Sequence, residues 1–223
     1  MERWSALGNV YLVAEQLPDD VTASVGDADG IVEVIEHGED WADVRIWNPD
    51  GSQAEMSGNG TRIAARWLSA RTGRERVTIR VGPREVRARI MPRELVEQDL
   101  GPVEISEPEQ IAGFTVTRVS VGNPHAVVEG DPDDLPSIGQ ALETHDAFPE
   151  RTNVQVARKN GPNDATARVW ERGVGETASS GTSAVAVAAA LGLNPGTIRF
   201  PGGELLVRFE GARAFLTGPA ERV

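Results

Sequence analysis

The chain has 223 residues, 39% hydrophobic and 25% charged, an ordinary composition for one large or two small domains with a sizeable core. It has no cysteine, which removes disulfides, thiolate metal sites, iron–sulfur clusters and thiol nucleophiles. Its 22 Lys and Arg against 34 Asp and Glu give a net charge of −12, and the basic residues are scattered, so no nucleic-acid partner is expected.

Short β-type runs open the chain: Val10-Tyr11-Leu12-Val13, then strands predicted over 31–35 and 44–47, most of them closed by Gly, Pro, Asn or Asp. A helix is predicted over 60–71, closed by Gly73, and strands follow over 77–81 and 86–90. The second half repeats this order, with strands over 115–121 and 126–129, a short helix over 141–146, and strands over 154–157 and 165–170. An apolar helix over 182–191, closed by Gly192 with Pro195 after it, and a strand over 205–209 complete the series. No run approaches 18 apolar residues, and Met1-Glu2-Arg3-Trp4-Ser5 lacks the basic-then-apolar pattern of a leader, so a cytoplasmic location and no membrane partner are expected.

The halves resemble each other. Leu7-Gly8-Asn9-Val10 through Glu15 aligns with Val121-Gly122-Asn123-Pro124 through Glu129 at an offset of 114, and Ser57-Gly58 aligns with Ser180-Gly181 at an offset of 123. The expected fold is therefore α+β, strand-rich, with two pseudo-symmetric domains. Each is a curved, barrel-like sheet around a central helix, with a cleft between the two domains. The first domain is placed at 1–110, completed by a C-terminal strand over 213–223, and the second at 111–212.

Both predicted helices open alike, as Ser57-Gly58-Asn59-Gly60 and Ser180-Gly181-Thr182-Ser183. A helix start carries amide N–H groups without intrahelical partners and partial positive charge, so two such ends facing one cleft would hold a carboxylate. The plainer reading makes Ser57 and Ser180 N-caps and the glycines turn residues.

The segment Asn48-Pro49-Asp50-Gly51-Ser52-Gln53-Ala54-Glu55-Met56-Ser57-Gly58-Asn59-Gly60-Thr61-Arg62 closely resembles the first active-site signature of the diaminopimelate epimerases. Glu171-Arg172-Gly173-Val174-Gly175-Glu176-Thr177-Ala178-Ser179-Ser180-Gly181-Thr182 resembles the second. Leu7-Gly8-Asn9, Asp29-Gly30, Gly122-Asn123-Pro124-His125, Phe148 through Val154, Pro201-Gly202-Gly203 and Thr217-Gly218-Pro219-Ala220 extend the likeness along the whole chain in family order. The resemblance implies a cofactor-free, metal-free homodimeric isomerase. It would interconvert LL- and meso-2,6-diaminopimelate for lysine and peptidoglycan precursors, with one cysteine removing the α-proton and a second donating a proton from the opposite face.

The resemblance places those two cysteines at Ser57 and Ser180. A thiol has a pKa of about 8.5 and tunes downwards, whereas a serine hydroxyl is far less acidic and needs an adjacent base. The implied helper bases are His125 near the first position and Glu171 near the second, as Ser57–His125 and Ser180–Glu171 dyads. Asn9, Asn48, Asn123, Asn153, Glu171 and Arg172 are assigned to the distal zwitterion of the substrate, a role suited to the planar guanidinium fork and to amide and carboxylate acceptors. Gly58-Asn59 and Gly181-Thr182 would hold the α-carboxylate. Gly30 stands where relatives carry a polar side chain, and Ile63 and Val185 where they often carry cysteine.

Three readings follow: an epimerase working through hydroxyls, a diaminopimelate-binding homologue without turnover, or a member of the wider fold that includes proline racemase-like and phenazine-biosynthesis-like proteins. Glu171-Arg172 and the asparagines weigh against the third, because a proline-type pocket has no use for a second zwitterion clamp. No motif holds a lysine for a Schiff-base cofactor, and no His/carboxylate cluster has metal-ligand spacing.

Overall fold

The computed structural model describes residues 1–17, 21–54 and 56–223. It divides into two compact units, Met1–Leu100 with Thr217–Val223, and Gly101–Leu216.

The first unit runs β1 (Glu2–Ala6), β2 (Asn9–Ala14), α1 (Val21–Val25), β3 (Gly30–His37), β4 (Trp41–Trp47), α2 (Gly58–Thr72), β5 (Arg76–Val81), β6 (Arg84–Ile90) and β7 (Leu95–Pro102). Pairing alternates: β1 with β2 antiparallel, β2 with β3 parallel, β3 with β4 antiparallel, β4 with β5 parallel, β5 with β6 antiparallel. The two parallel steps need crossovers, and α1 and α2 supply them. Period-two alternation sends Val77, Ile79, Val81, Val86 and Ala88 inward, against the buried Ile63, Ala64, Ala65, Trp67 and Leu68 of α2. α2 touches all of β1 to β6, so the sheet curves around it. Ser57 caps its start, and Gly73 in the left-handed conformation (φ 74°) closes it with an N–H bond to Ser69 O.

The second unit contains β8 (Glu104–Ile105), β9 (Glu109–Ile111), β10 (Phe114–Ser120), β11 (Pro124–Glu129), a 3₁₀ turn (Pro132–Asp134), α3 (Leu135–Glu143), β12 (Asn153–Gly161), β13 (Asp164–Glu171), β14 (Gly175–Thr177), α4 (Gly181–Ala190), β15 (Gly196–Phe200), β16 (Gly203–Glu210) and β17 (Arg213–Pro219); β18 (Glu221–Arg222) returns to pair with β1. The pairing repeats step for step: β10 with β11 antiparallel, β11 with β12 parallel, β12 with β13 antiparallel, β13 with β15 parallel, β15 with β16 antiparallel. α4 touches the equivalent six strands. Ala184 to Ala188 are wholly buried, as an all-round apolar helix must be. The duplicated unit inferred from the two offsets is therefore present as topology.

Two placements differ from those read from sequence. The first unit ends near residue 100, not 110, because β8 and β9 pair with β10 and so belong with the second half. The third helix spans Leu135–Glu143 instead of 141–146. Pro132 and Pro136 stand in first turns, where a proline sacrifices no hydrogen bond, so the helical stretch can begin there.

α3 packs on the sheet through a glycine. A Cβ at Gly139 would lie 2.8 to 2.9 Å from three atoms of Trp170. Overpacking costs roughly 1–3 kcal/mol and alanine's helix preference returns about 1. Gly139→Ala is therefore expected to lose about 1 kcal/mol, seen as a lower urea midpoint at unchanged slope.

Candidate active site

In the first unit the turn at Leu7-Gly8 (φ 53° and 82°) delivers Asn9 and Tyr11 onto β2, with Asn9 buried and the Val10 N–H donating to Asp29 Oδ2 at 2.7 Å. Ser57 Oγ accepts the Gly60 N–H at 3.0 Å, capping α2, and lies 3.3 Å from the Tyr11 phenolic oxygen. Behind the cap, Thr61 Oγ1 donates to Ser57 O at 2.8 Å and accepts from Gln98 Nε2 at 2.7 Å. Asn59 is buried, and its Oδ1 accepts from Arg62 Nη2 at 2.8 Å; Arg62 Nη1 and Nε donate to Gly58 O and Pro219 O. Burial lowers the Arg62 pKa to about 10, with attraction to Tyr11 opposing the drop, so the guanidinium stays charged at neutral pH. Asn48 sits in a tied turn, donating through Nδ2 to Ser52 Oγ at 2.9 Å and through its N–H to Ser52 O.

The second unit builds its counterpart on β11, β12, β13 and the start of α4. His125 is fully buried and its ring is held on both sides. Gln155 Nε2 lies 3.1 Å from Nδ1, making Nδ1 the acceptor, so Nε2 carries the proton and donates to Asn123 Oδ1 at 3.0 Å. Asn123 Nδ2 in turn donates to Thr182 Oγ1 at 3.3 Å, in the first turn of α4, and Gln155 also donates to Ser183 Oγ at 3.0 Å. Burial drives the His125 pKa down to about 3. A proton-transfer role would require the ring to give up one of these partners. Ser180, the buried residue before α4, makes no side-chain capping bond.

Of the sequence-predicted recognition residues, Asn153, Glu171 and Arg172 stand at the β12 and β13 ends, while Asn9 and Asn48 belong to the first unit. Asn153 Oδ1 accepts the Arg172 N–H at 3.0 Å while its Nδ2 donates to Pro124 O at 2.9 Å. Glu171 Oε1 accepts from Thr177 Oγ1 at 2.5 Å, and Arg172 Nη1 donates to Glu150 O at 3.2 Å. The Asn153 bond fixes the Arg172 backbone, and the other two hold the Glu171 and Arg172 side chains.

Glu143, Gln155 and Tyr11 were not singled out from sequence. Glu143 is a buried carboxylate at the end of α3 that accepts Trp170 Nε1 at 2.8 Å and the Gly173 N–H at 2.7 Å, and pairs with Arg151 Nη2 at 2.8 Å. Its carbonyl accepts the Thr152 N–H. One residue thus ties the start of β12 to the Glu171–Val174 turn. Arg151 itself is held at φ 61°, a conformation that costs a non-glycine residue roughly 1–3 kcal/mol and persists where its surroundings over-determine it. Tyr11 could have been found from the internal repeat, since it stands two residues after Asn9 as His125 stands after Asn123. Gln155 and Glu143 carry no such signal.

Among the described residues, no three His, Asp or Glu side chains form a metal-binding group, and no helix is long and apolar enough to cross a membrane.

Two measurements check these networks. Glu143→Gln places an amide N–H₂ against donors that need an acceptor, so hydrogen exchange is expected to rise at residues 172–175 while α4 keeps its protection. The folded His125 stays neutral down to about pH 3, whereas in the unfolded chain it takes a proton near 6.5. The stability present above about 6.5 is therefore lost as pH falls towards 3, by at most about 1.4 kcal/mol per pH unit. His125→Gln is expected to show a correspondingly shallower acid loss in denaturation curves.

The family model for diaminopimelate epimerase matches residues 117–223. A diaminopimelate epimerase from Desulforudis audaxviator is 36% identical over 97% of this chain and 94% of its own length, and one from Pelotomaculum thermopropionicum is 37% identical over 88% and 81%. The first alignment runs over 263 positions against 223 residues here, so that relative carries segments this chain lacks. Among solved structures, a hydroxyproline epimerase from Agrobacterium vitis superposes with a TM-score of 0.73 at 15% identity, covering all of this chain and 88% of that one, which shows a shared fold. With relatives above 30% identity that span most of this chain and of their own length, the chain belongs to the diaminopimelate epimerase family.

Proposed function

We propose that this protein is an isomerase acting on diaminopimelate, interconverting the LL and meso forms by two-base proton transfer at Cα, without pyridoxal phosphate or metal, in the cytoplasmic supply of lysine and peptidoglycan precursors. The observation that carries the reading is the frame in the second unit. There Asn153 bonds the Arg172 backbone, Thr177 bonds the Glu171 carboxylate, and Asn123 bonds Thr182 at the start of α4. A planar guanidinium and a carboxylate on one turn suit the carboxylate and ammonium of an amino-acid end. Asn9 and the Gly58-Asn59 and Gly181-Thr182 helix starts complete the proposed recognition set, with Ser57 and Ser180 at the two acid/base positions.

The rate is expected to be low. Acid–base groups typically contribute about 10²- to 10⁴-fold, and an aliphatic hydroxyl is a poor substitute for a thiol in either protonation state. Two observations favour the second reading, a homologue that binds without turnover. Ser57 Oγ is spent as a helix cap, and the His125 ring is neutral with both nitrogens engaged.

Incubating the protein with LL- or meso-diaminopimelate in D₂O and following the α-¹H NMR signal separates the two. Slow exchange is expected, and Ser57→Cys combined with Ser180→Cys should raise it by about 10²-fold or more. Saturable binding with no exchange over days would instead support the binding homologue. Neither binding nor exchange, even with both cysteines restored, would point to another substrate.

A further inference from the structure

We propose that Tyr11 is the proton relay of the first acid/base position: its phenolic oxygen exchanges a proton with Ser57 Oγ, and the two hydroxyls together replace one thiol. The inference rests on the epimerase reading above and names for Ser57 a base within its own unit.

The geometry is local to the first unit. Tyr11 Oη and Ser57 Oγ are 3.3 Å apart, within reach of a hydrogen bond that shortens when substrate excludes water. The Gly60 N–H already donates to Ser57 Oγ, so an electron-rich oxygen there is supported from the helix side. The tyrosine ring is held in place: Tyr11 pairs with Gly30 in the parallel β2–β3 register, and a Cβ on Gly30 would lie 2.9 Å from Tyr11 Cε1 and 2.5 Å from Trp47 O. The ring therefore occupies space that any side chain at position 30 would need, which gives the glycine there a physical reason. A phenol, with an ordinary pKa of about 10, also ionises far more readily than an aliphatic alcohol. The buried guanidinium of Arg62 and a Tyr11 phenolate attract each other, a field of the right sign for a base at this end of α2. Tyr11 is the chain's single tyrosine, and it stands at the position in the first repeat that His125 holds in the second.

The step balances without a further reactant. With the phenol ionised, the Cα–H bond breaks and its electron pair stays on the planar carbanion. The proton passes to Ser57 Oγ as Ser57's own proton passes to Tyr11 Oη, leaving a neutral serine and a neutral phenol. In the opposite direction the phenol returns its proton through Ser57 to the carbanion.

The test is Tyr11→Phe, which removes the hydroxyl and keeps the ring, read by α-proton exchange in D₂O from the LL and the meso form separately. Exchange from one stereoisomer, the one whose proton Ser57 removes, is expected to fall about tenfold or more. The other should change by less than about twofold, and so should the dissociation constant for diaminopimelate. In a Ser57→Cys background, where a thiol needs no relay, Tyr11→Phe is expected to be nearly silent. Equal losses for both stereoisomers, no loss at all, or the same loss in the Ser57→Cys background would overturn the relay. So would a wild type without exchange beside an active Ser57→Cys/Ser180→Cys variant, while leaving the epimerase reading intact. If that doubly substituted protein also fails to exchange, the epimerase reading itself falls.

Discussion

A helix enclosed by its own sheet can present only its ends to other molecules, and that constraint organises both units. α4 carries no polar stripe and is buried along most of its length, while α2 buries Ile63 to Leu68 against six strands. The polar groups such a helix cannot bury unsatisfied are its first amides, and these must be answered by a cap, a neighbouring strand or a ligand. Ser57 answers the Gly60 amide in one unit; Thr182 and Ser183, linked to Asn123 and Gln155, stand at the helix start in the other.

The duplicated topology turns this into a comparison within one chain. Equivalent strands place Tyr11 beside Gly30 and His125 beside Asn153, in matching parallel registers. The first unit fills the position with a phenol and leaves nothing but hydrogen at residue 30. The second uses an imidazole and a carboxamide, and spends the carboxamide on the Arg172 backbone. One architecture therefore carries two different polar solutions.

How far the sequence was legible depended on whether the signal was local. The ends of α2 and α4 were readable because capping serines and closing glycines act within a few residues, and strands such as β5 and β6 because alternation is a period-two property. β1, β7 and β15 are not visible in the sequence because charged residues, Gly and Pro interrupt their patterns, and pairing alone makes them strands. α3 begins at Leu135, ahead of its predicted span, with a proline in its first turn. Of the site, the residues in the two long motifs were named in advance through family likeness. Tyr11 was hidden in an apolar run, Val10-Tyr11-Leu12-Val13, and its meaning came only from Ser57, which is 46 residues away. Glu143 acts through donors on β13 and the turn beyond, contacts that no spacing rule anticipates.

The cap on α2 has a further consequence for how such a chain evolves. Serine is among the best residues for ending a helix, and replacing a capping hydroxyl with a non-capping group typically forfeits about 0.5–2 kcal/mol, whereas sulfur accepts hydrogen bonds weakly. On the proposed reading, the atom at residue 57 that would do proton chemistry poorly is also the atom that holds the helix start well. A cysteine there would give a looser helix start and a better acid, so the proposed chemistry and the stability of α2 would place opposite demands on a single side-chain atom.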